Sequence, residues 1–262
     1  MKNIPIIVAA FCVTSGAIFA GPPQVAESKA MTAAAAPFTW TGFYLGVQGG
    51  YTHAQVDPQL SLGGSFNQIP APITDGLESR GSQDFDYDGA TLGGLAGFNY
   101  QFGQVVVGLE GSGSYLWSRD SRDTGAFVLA QGVPPLEIRG SFKTHYLFTV
   151  GPRIGYAFGR VLPYITGGLA VGDLEWSQEL HDLADPSTRL GRRITQTNAG
   201  WMVGGGVECA LTNHWHARVQ YEYADLGSAE FDSFVTNSPQ LTSHHSVGFA
   251  EHNASFALIY KF

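Results

Sequence analysis

The chain has 262 residues, 34 of them Gly, with 13% aromatic and only 14% charged residues and a net charge of −8. An average soluble domain holds about 7% Gly and about 25% charged residues. Doubled glycine without a period of three, halved charge and abundant aromatics exclude disorder, collagen and a long helical bundle, and the acidic balance excludes the basic footprint of a nucleic-acid binder.

Lys2 precedes an apolar stretch, Ile4 to Ala20, that ends in small residues. A positive start, an apolar core and a small-residue exit make residues 1–20 a secretory signal peptide, with Ala20 the last residue removed. The stretch is shorter than the roughly 20 residues a spanning helix needs. Residues 21–37 are rich in Ala, Pro, Ser and Thr and read as a flexible lead-in. Cleavage after Ala20 leaves Cys209 without a second cysteine, so an intramolecular disulfide is ruled out.

From Trp40 onward no window shows a convincing helical period. Apolar residues alternate with small or polar ones at period two, the mark of strands with one apolar face. The first strand sets Phe43, Leu45, Val47 and Tyr51 against Tyr44, Gly46, Gln48 and Gly50. The second opposes Leu92, Phe98, Tyr100 and Phe102 to Thr91, Gly93, Gly97 and Asn99. In the third, Val105, Val107, Leu109, Tyr115 and Trp117 face away from Gly108, Glu110, Ser112 and Ser114. The fourth places Tyr146, Phe148, Val150, Ile154 and Tyr156 against Lys143, His145, Thr149, Arg153 and Gly155. Ile165, Leu169 and Val171 oppose Tyr164, Thr166 and Gly168 in the fifth. The sixth sets Trp201, Val203, Val207 and Cys209 against Asn198, Gly204, Gly206 and Glu208. In the seventh, Trp215, Ala217, Val219, Tyr221 and Tyr223 alternate with His216, Arg218, Gln220 and Glu222. The last strand alternates Phe256, Leu258, Tyr260 and Phe262 with Ser255, Ala257 and Lys261.

Short connections at Gly103-Gln104, Gly159 to Leu162 and Thr212 to His214 alternate with long polar segments near 53–87, 118–141, 175–197 and 227–246. Outer-membrane barrels alternate periplasmic turns with extracellular loops in this way. The two-residue turn pairs Phe102 with Val105 and Tyr100 with Val107. The three-residue turn pairs Leu211 with Trp215 and Cys209 with Ala217. Paired positions share a face, and here the shared face is apolar. The fold class is therefore all-β: an eight-stranded antiparallel transmembrane β-barrel of the OmpA/OmpX type over residues 38–262, with four long extracellular loops. Such a protein belongs in the outer membrane of a Gram-negative cell.

Eight strands enclose a lumen just wide enough for side chains. Charges on its face need partners. Glu208 and Arg218 are symmetric about a short turn, and Glu110 and Arg153 sit at similar heights on neighbouring strands. Two ion pairs are expected, read either as a structural network that fills the lumen or as a gated ion path.

Trp40-Thr41-Gly42-Phe43-Tyr44-Leu45-Gly46 resembles the first strand of the alphaproteobacterial Omp25/RopB-like outer-membrane proteins. Gly151 to Ala157 followed by Leu162 to Gly168 is similar to that family's most recognisable hairpin, and Tyr221 to Gly227 and Tyr260-Lys261-Phe262 also fit. The resemblance covers roughly residues 38–262. Gln220 stands where the family carries Glu, with Glu222 on the same face. The resemblance implies a porin-like, often immunogenic surface barrel, and some relatives bind haemin.

Chemistry-bearing residues are sparse. His214 and His216 could flank the turn as metal ligands or as an interfacial polar pair; a third ligand is not evident. His244 and Ser246 have a His-x-Ser spacing similar to that of a lipid A deacylase barrel, and His244-His245 could contact haemin instead. Asp84, Asp86 and Asp88 match the opening of a calcium loop, although Leu95 replaces its closing Glu. In an extended strand these three carboxylates share a face, where a divalent ion could bridge them to lipopolysaccharide headgroups. No cofactor and no catalytic residue is expected. The expected function is a structural, surface-exposed barrel with a filled lumen. A small porin for ions or solutes and a haemin-binding surface protein are the alternatives. Its partners are outer-membrane lipids, lipopolysaccharide and the barrel-assembly machinery, with host contact through the loops. Phe256, Leu258, Tyr260 and the terminal Phe262 form an aromatic signal of the kind that machinery reads. Deleting Phe262 should lower the amount of folded protein in the outer membrane, measured by fractionation; normal levels would leave Phe262 as no more than a lipid-facing strand end.

Overall fold

The computed structural model describes residues 38–82, 85–123, 136–182, 189–235 and 238–262; the expected signal peptide and lead-in lie outside them. The strands are β1 (Gly42–Gly64), β2 (Phe85–Phe102), β3 (Val105–Asp123), β4 (Leu136–Tyr156), β5 (Val161–Asp182), β6 (Arg189–Ala210), β7 (Trp215–Val235) and β8 (Ser238–Lys261). Each is antiparallel to its neighbours, and β1 closes on β8 from Tyr44 opposite Lys261 to Gly64 opposite Leu241. Closure leaves no sheet edge among lipids, where an unpaired backbone group has no water to turn to.

The first and third short turns have the expected register: Phe102 pairs with Val105, Tyr100 with Val107 and Cys209 with Ala217. The second is shorter than the expected Gly159 to Leu162, because Phe158 pairs with Val161 and leaves only two residues in the turn. Gly103 and Gly159 sit at φ +60° and +62°. Each occupies the first central position of its two-residue turn, which a hairpin of the II′ type reserves for glycine. In the third turn the Thr212 hydroxyl accepts the N–H groups of His214 (3.2 Å) and Trp215 (2.9 Å).

The apolar face points outward. Phe43, Leu45, Leu109, Ile165, Leu169 and Phe256 are all more than half exposed, an arrangement only lipid can accommodate. Two aromatic belts bound this band. Tyr51, Tyr115, Trp117, Tyr146, Trp201 and Tyr221 ring its outer end, and Tyr100, Phe102, Tyr156, Phe158, Trp215 and Tyr260 ring the end with the short turns. Tyrosine and tryptophan settle at such interfaces because one end of the ring is apolar and the other polar.

The strands outrun the band. β1 is 23 residues long, although about 9–11 suffice to cross a bilayer. Much of what the sequence reading assigned to long polar loops is barrel wall, including residues 53–64, 175–182, 189–197, 227–235 and 238–246. The sidedness inverts there. Ala54, Val56, Tyr87, Leu226, Val247 and Phe249 point inward and are buried, while Gln55, Asp57, Gln59 and Asp86 are exposed outside. Water has replaced lipid as the outer solvent, so the alternation persists with its faces exchanged.

A bulge between Lys143 and Leu147 also corrects the inward set of β4. The Asp173 carboxylate accepts the N–H groups of both His145 and Tyr146 at 2.9 Å. Two residues thus occupy one step, Thr144 takes the inward place, and His145 is left half-exposed beside Asp173.

A helix, α1 (Ala71–Gly81), follows β1 after a short 3-10 turn at Ser65–Gln68. Its sequence, with two glycines and no apolar stripe, carries no helical signal. Its position explains it. β2 begins opposite Val56, so the rest of β1 has a free edge on that side. Pro58 has no N–H to leave exposed there. Leu60 N donates to Ser82 Oγ just past the helix (2.9 Å), and Leu62 N donates to Glu78 Oε1 within it (2.8 Å). The helix and its end thus blunt an exposed strand edge. In Glu78→Ala the Leu62 amide should exchange with solvent about tenfold faster, the effect of losing one hydrogen bond of about 1.4 kcal/mol. Amide exchange at Leu45, deep in the closed ladder, should be unchanged.

Candidate functional site in the barrel lumen

The lumen is filled in layers. At the short-turn end Trp40 is fully buried with Val106, Ala157, Leu162 and Ala210. Its indole N–H donates to the Gly159 carbonyl (3.1 Å) and its backbone N–H to Gln101 Oε1 (2.8 Å). Phe38 packs against this layer beneath the side chains of Arg160 and Lys261. The Lys261 ammonium donates to the Thr39 carbonyl. The segment leading into β1 therefore closes that end of the barrel.

Above it lies a charged layer drawn from β3, β4, β6 and β7. Arg153 donates to Glu110 and to Glu208, each at 3.1 Å. Arg218 donates to Glu110 through both terminal nitrogens (2.8 and 2.7 Å) and to Glu208 through Nη2 (2.9 Å) and Nε (3.1 Å). The four side chains are 10% exposed or less. Two carboxylates and two guanidiniums compensate each other. Tyr44 donates to Glu110 (2.6 Å), His216 Nδ1 lies 2.8 Å from Glu208 Oε1, and the Arg153 guanidinium sits 3.9 Å over the Tyr164 ring. Inward glycines make the room. A Cβ on Gly97 would come within 2.3 Å of the Tyr44 hydroxyl, and one on Gly108 within 2.4 Å of Asn99 Oδ1.

Next comes a polar layer. Tyr164 donates to Gln220 Oε1 (2.5 Å), Gln220 Nε2 to Glu222 (2.7 Å), and Thr52 to Glu251 (2.6 Å). The outer layer is apolar, with Tyr87, Leu116, Leu147, Met202, Leu226 and Phe249 at its centre.

Sequence reasoning expected two ion pairs; the structure joins Glu110, Arg153, Glu208 and Arg218 in one cluster, because a narrow lumen brings opposite walls within reach. It also missed Tyr44, Tyr164 and His216 as members. His216 is not half of an interfacial pair with His214. It points inward, as its alternation with Trp215 and Ala217 requires, whereas His214 in the turn contacts the Lys261 carbonyl (2.9 Å). Gln220, the departure from the family pattern, bonds Tyr164 and Glu222, so Glu222 pairs with an amide and not with an arginine.

The residues singled out at the outer end are dispersed. Asp84 lies outside the described residues, and Asp86 and Asp88 are exposed on the outer face. Asp88, one row beyond the Tyr51 girdle, is 2.8 Å from His53. Hydrogen bonds from Tyr51 and His53 hold its carboxyl below the ordinary carboxylate range. Among the described residues no cluster of three or more His, Cys, Asp or Glu is poised for a metal. His244 and His245 belong to β8, not to a loop. Asp232 contacts His244 (2.8 Å) and Ser243 contacts His245 (3.1 Å).

The sequence matches the outer membrane protein beta-barrel domain over residues 28–262. The chain belongs to that family. It is an outer-membrane protein. It is 34% identical to a 31 kDa outer-membrane immunogenic protein of Brucella melitensis, over 87% of this chain and 88% of the relative. A 25 kDa outer-membrane immunogenic protein of Brucella abortus is 26% identical over 88% of each chain. A 22 kDa outer membrane protein of Rhizobium leguminosarum is 29% identical over 74% of this chain and 68% of the relative.

The charged layer gives this barrel a stability test. Arg218→Ala removes one of the two cations that Glu110 and Glu208 share and leaves one buried negative charge uncompensated. The expected loss is about 3–5 kcal/mol, above the roughly 1–3 kcal/mol of a single unsatisfied group. Urea unfolding in detergent or lipid reads it, and an unchanged midpoint would mean that water already serves both carboxylates.

Proposed function

We propose that this protein is a structural, surface-exposed component of the outer membrane whose lumen is closed to solutes. The observation that carries the reading is the charged layer and the polar layer above it, held between two apolar ones. An ion crossing the barrel has to pass Trp40, separate Glu110 and Glu208 from Arg153 and Arg218, and enter the apolar layer around Leu116 and Met202. Each of these steps strips hydration without replacing it. Lipids and lipopolysaccharide surround the apolar band, and the barrel-assembly machinery inserts it. The wall that continues beyond the bilayer, polar outside, presents the protein to the exterior.

Planar-bilayer recording on folded, detergent-purified barrel tests this function. The expected result is a silent membrane. Stable, reproducible conductance steps would overturn the closed-lumen reading in favour of a small porin.

A further inference from the structure

One cross-strand row just beyond the outer aromatic belt carries ligand chemistry that the lumen does not use. His53 on β1 stands directly opposite Asp88 on β2 and directly opposite His252 on β8. All three alternate with buried, lumen-facing neighbours, Thr52, Tyr87 and Glu251, so their side chains share the outer face of the wall. The two imidazole rings are 6.4 Å apart between centroids and inclined by 33°.

Each ring is anchored through one nitrogen. His53 Nδ1 lies 2.8 Å from Asp88 Oδ1. A carboxylate only accepts, so Nδ1 carries a proton, and in the neutral ring Nε2 then keeps its lone pair. His252 Nδ1 lies 2.6 Å from the Tyr221 hydroxyl, and the Tyr223 ring packs 5.0 Å from the imidazole. When Nδ1–H donates to Tyr221, the His252 Nε2 is free in the same way. An oxygen partner on one imidazole nitrogen and a lone pair on the other is how a metal-ligating histidine is held: the partner fixes tautomer and ring orientation.

We propose that His53 and His252 form a transition-metal site on the outer rim of the barrel, with Asp88 and Tyr221 as positioning residues. Paired imidazoles select a borderline ion such as zinc, whereas calcium and magnesium take oxygen ligands. Zinc–nitrogen bonds of about 2.0–2.1 Å need the rings somewhat closer than they stand here. A small tilt of each ring about its anchored Nδ1, on directly paired positions, supplies that closure. Two imidazoles leave about two positions of a tetrahedral ion open, and these face the headgroup layer, where water or a headgroup oxygen completes the set. Asp88 then acts through His53, in place of the all-carboxylate arrangement expected from Asp84, Asp86 and Asp88.

Titration calorimetry with zinc chloride on folded, detergent-purified barrel tests the site, with copper(II) electron paramagnetic resonance to count coordinated nitrogens. Wild type should bind zinc, and His53→Ala and His252→Ala should each weaken binding at least tenfold. Copper should show two nitrogens in wild type and one in each histidine variant. Asp88→Asn should keep both nitrogens but bind about 10–100-fold more weakly, the effect of losing a ligand's anchoring partner. Heat-modifiable migration confirms that each variant is folded. Absence of zinc binding by wild type, or equal affinity in the His53→Ala/His252→Ala double variant, would overturn the proposal.

Discussion

Eight strands closed into a ring leave an interior only as wide as the side chains that fill it, and the rest of this structure follows from that limit. Glu110 and Glu208 come from β3 and β6, Arg153 and Arg218 from β4 and β7, yet all four touch within one layer. Desolvation offsets much of the attraction in a buried ion cluster, so its net contribution to stability is modest. Its contribution to register is larger. A one-residue slip between β6 and β7 would turn Glu208 or Arg218 outward to lipid and strand its partner inside. Inward glycines such as Gly97 and Gly108 belong to the same constraint, because the large side chains they face leave no room for a Cβ.

The second organising fact is that one wall passes through two solvents. Within the aromatic belts, lipid makes the outer face apolar and the lumen polar. Beyond the outer belt, water reverses this, and the barrel acquires an ordinary apolar core around Phe249 and Leu226. The same change exposes backbone to water at the free stretch of β1, where Pro58, Ser82 and Glu78 manage the edge. It also sets the place of His53 and His252, at the boundary where an outward residue is neither wholly in lipid nor wholly in water.

Much of the membrane-embedded part was legible because its signal is local. Alternation at period two named the outward faces, and turn length alone fixed that Phe102 meets Val105 and Glu208 meets Arg218. The inward place of His216 was legible for the same reason, although its proximity to the turn suggested a different role. The wall beyond the bilayer was not legible as strand. Its inward apolar residues are fewer, its outward ones resemble loop residues, and the phase reverses between the two. The α1 helix left no trace because a strand edge holds it, not its own composition. The bulge at His145 was hidden because a single carboxylate, Asp173 on the next strand, decides it.

By itself, then, the sequence determined an eight-stranded barrel, the face most membrane residues present, and the pairing across the first and third short turns. These depend on side-chain parity and on neighbours a few residues away. Only the tertiary structure decided which charges share a layer, how far the wall extends, what closes its lower end, and that His53 meets both Asp88 and His252. Those contacts join residues far apart in the chain, and closure of β1 on β8 brings them together at distances no local pattern encodes.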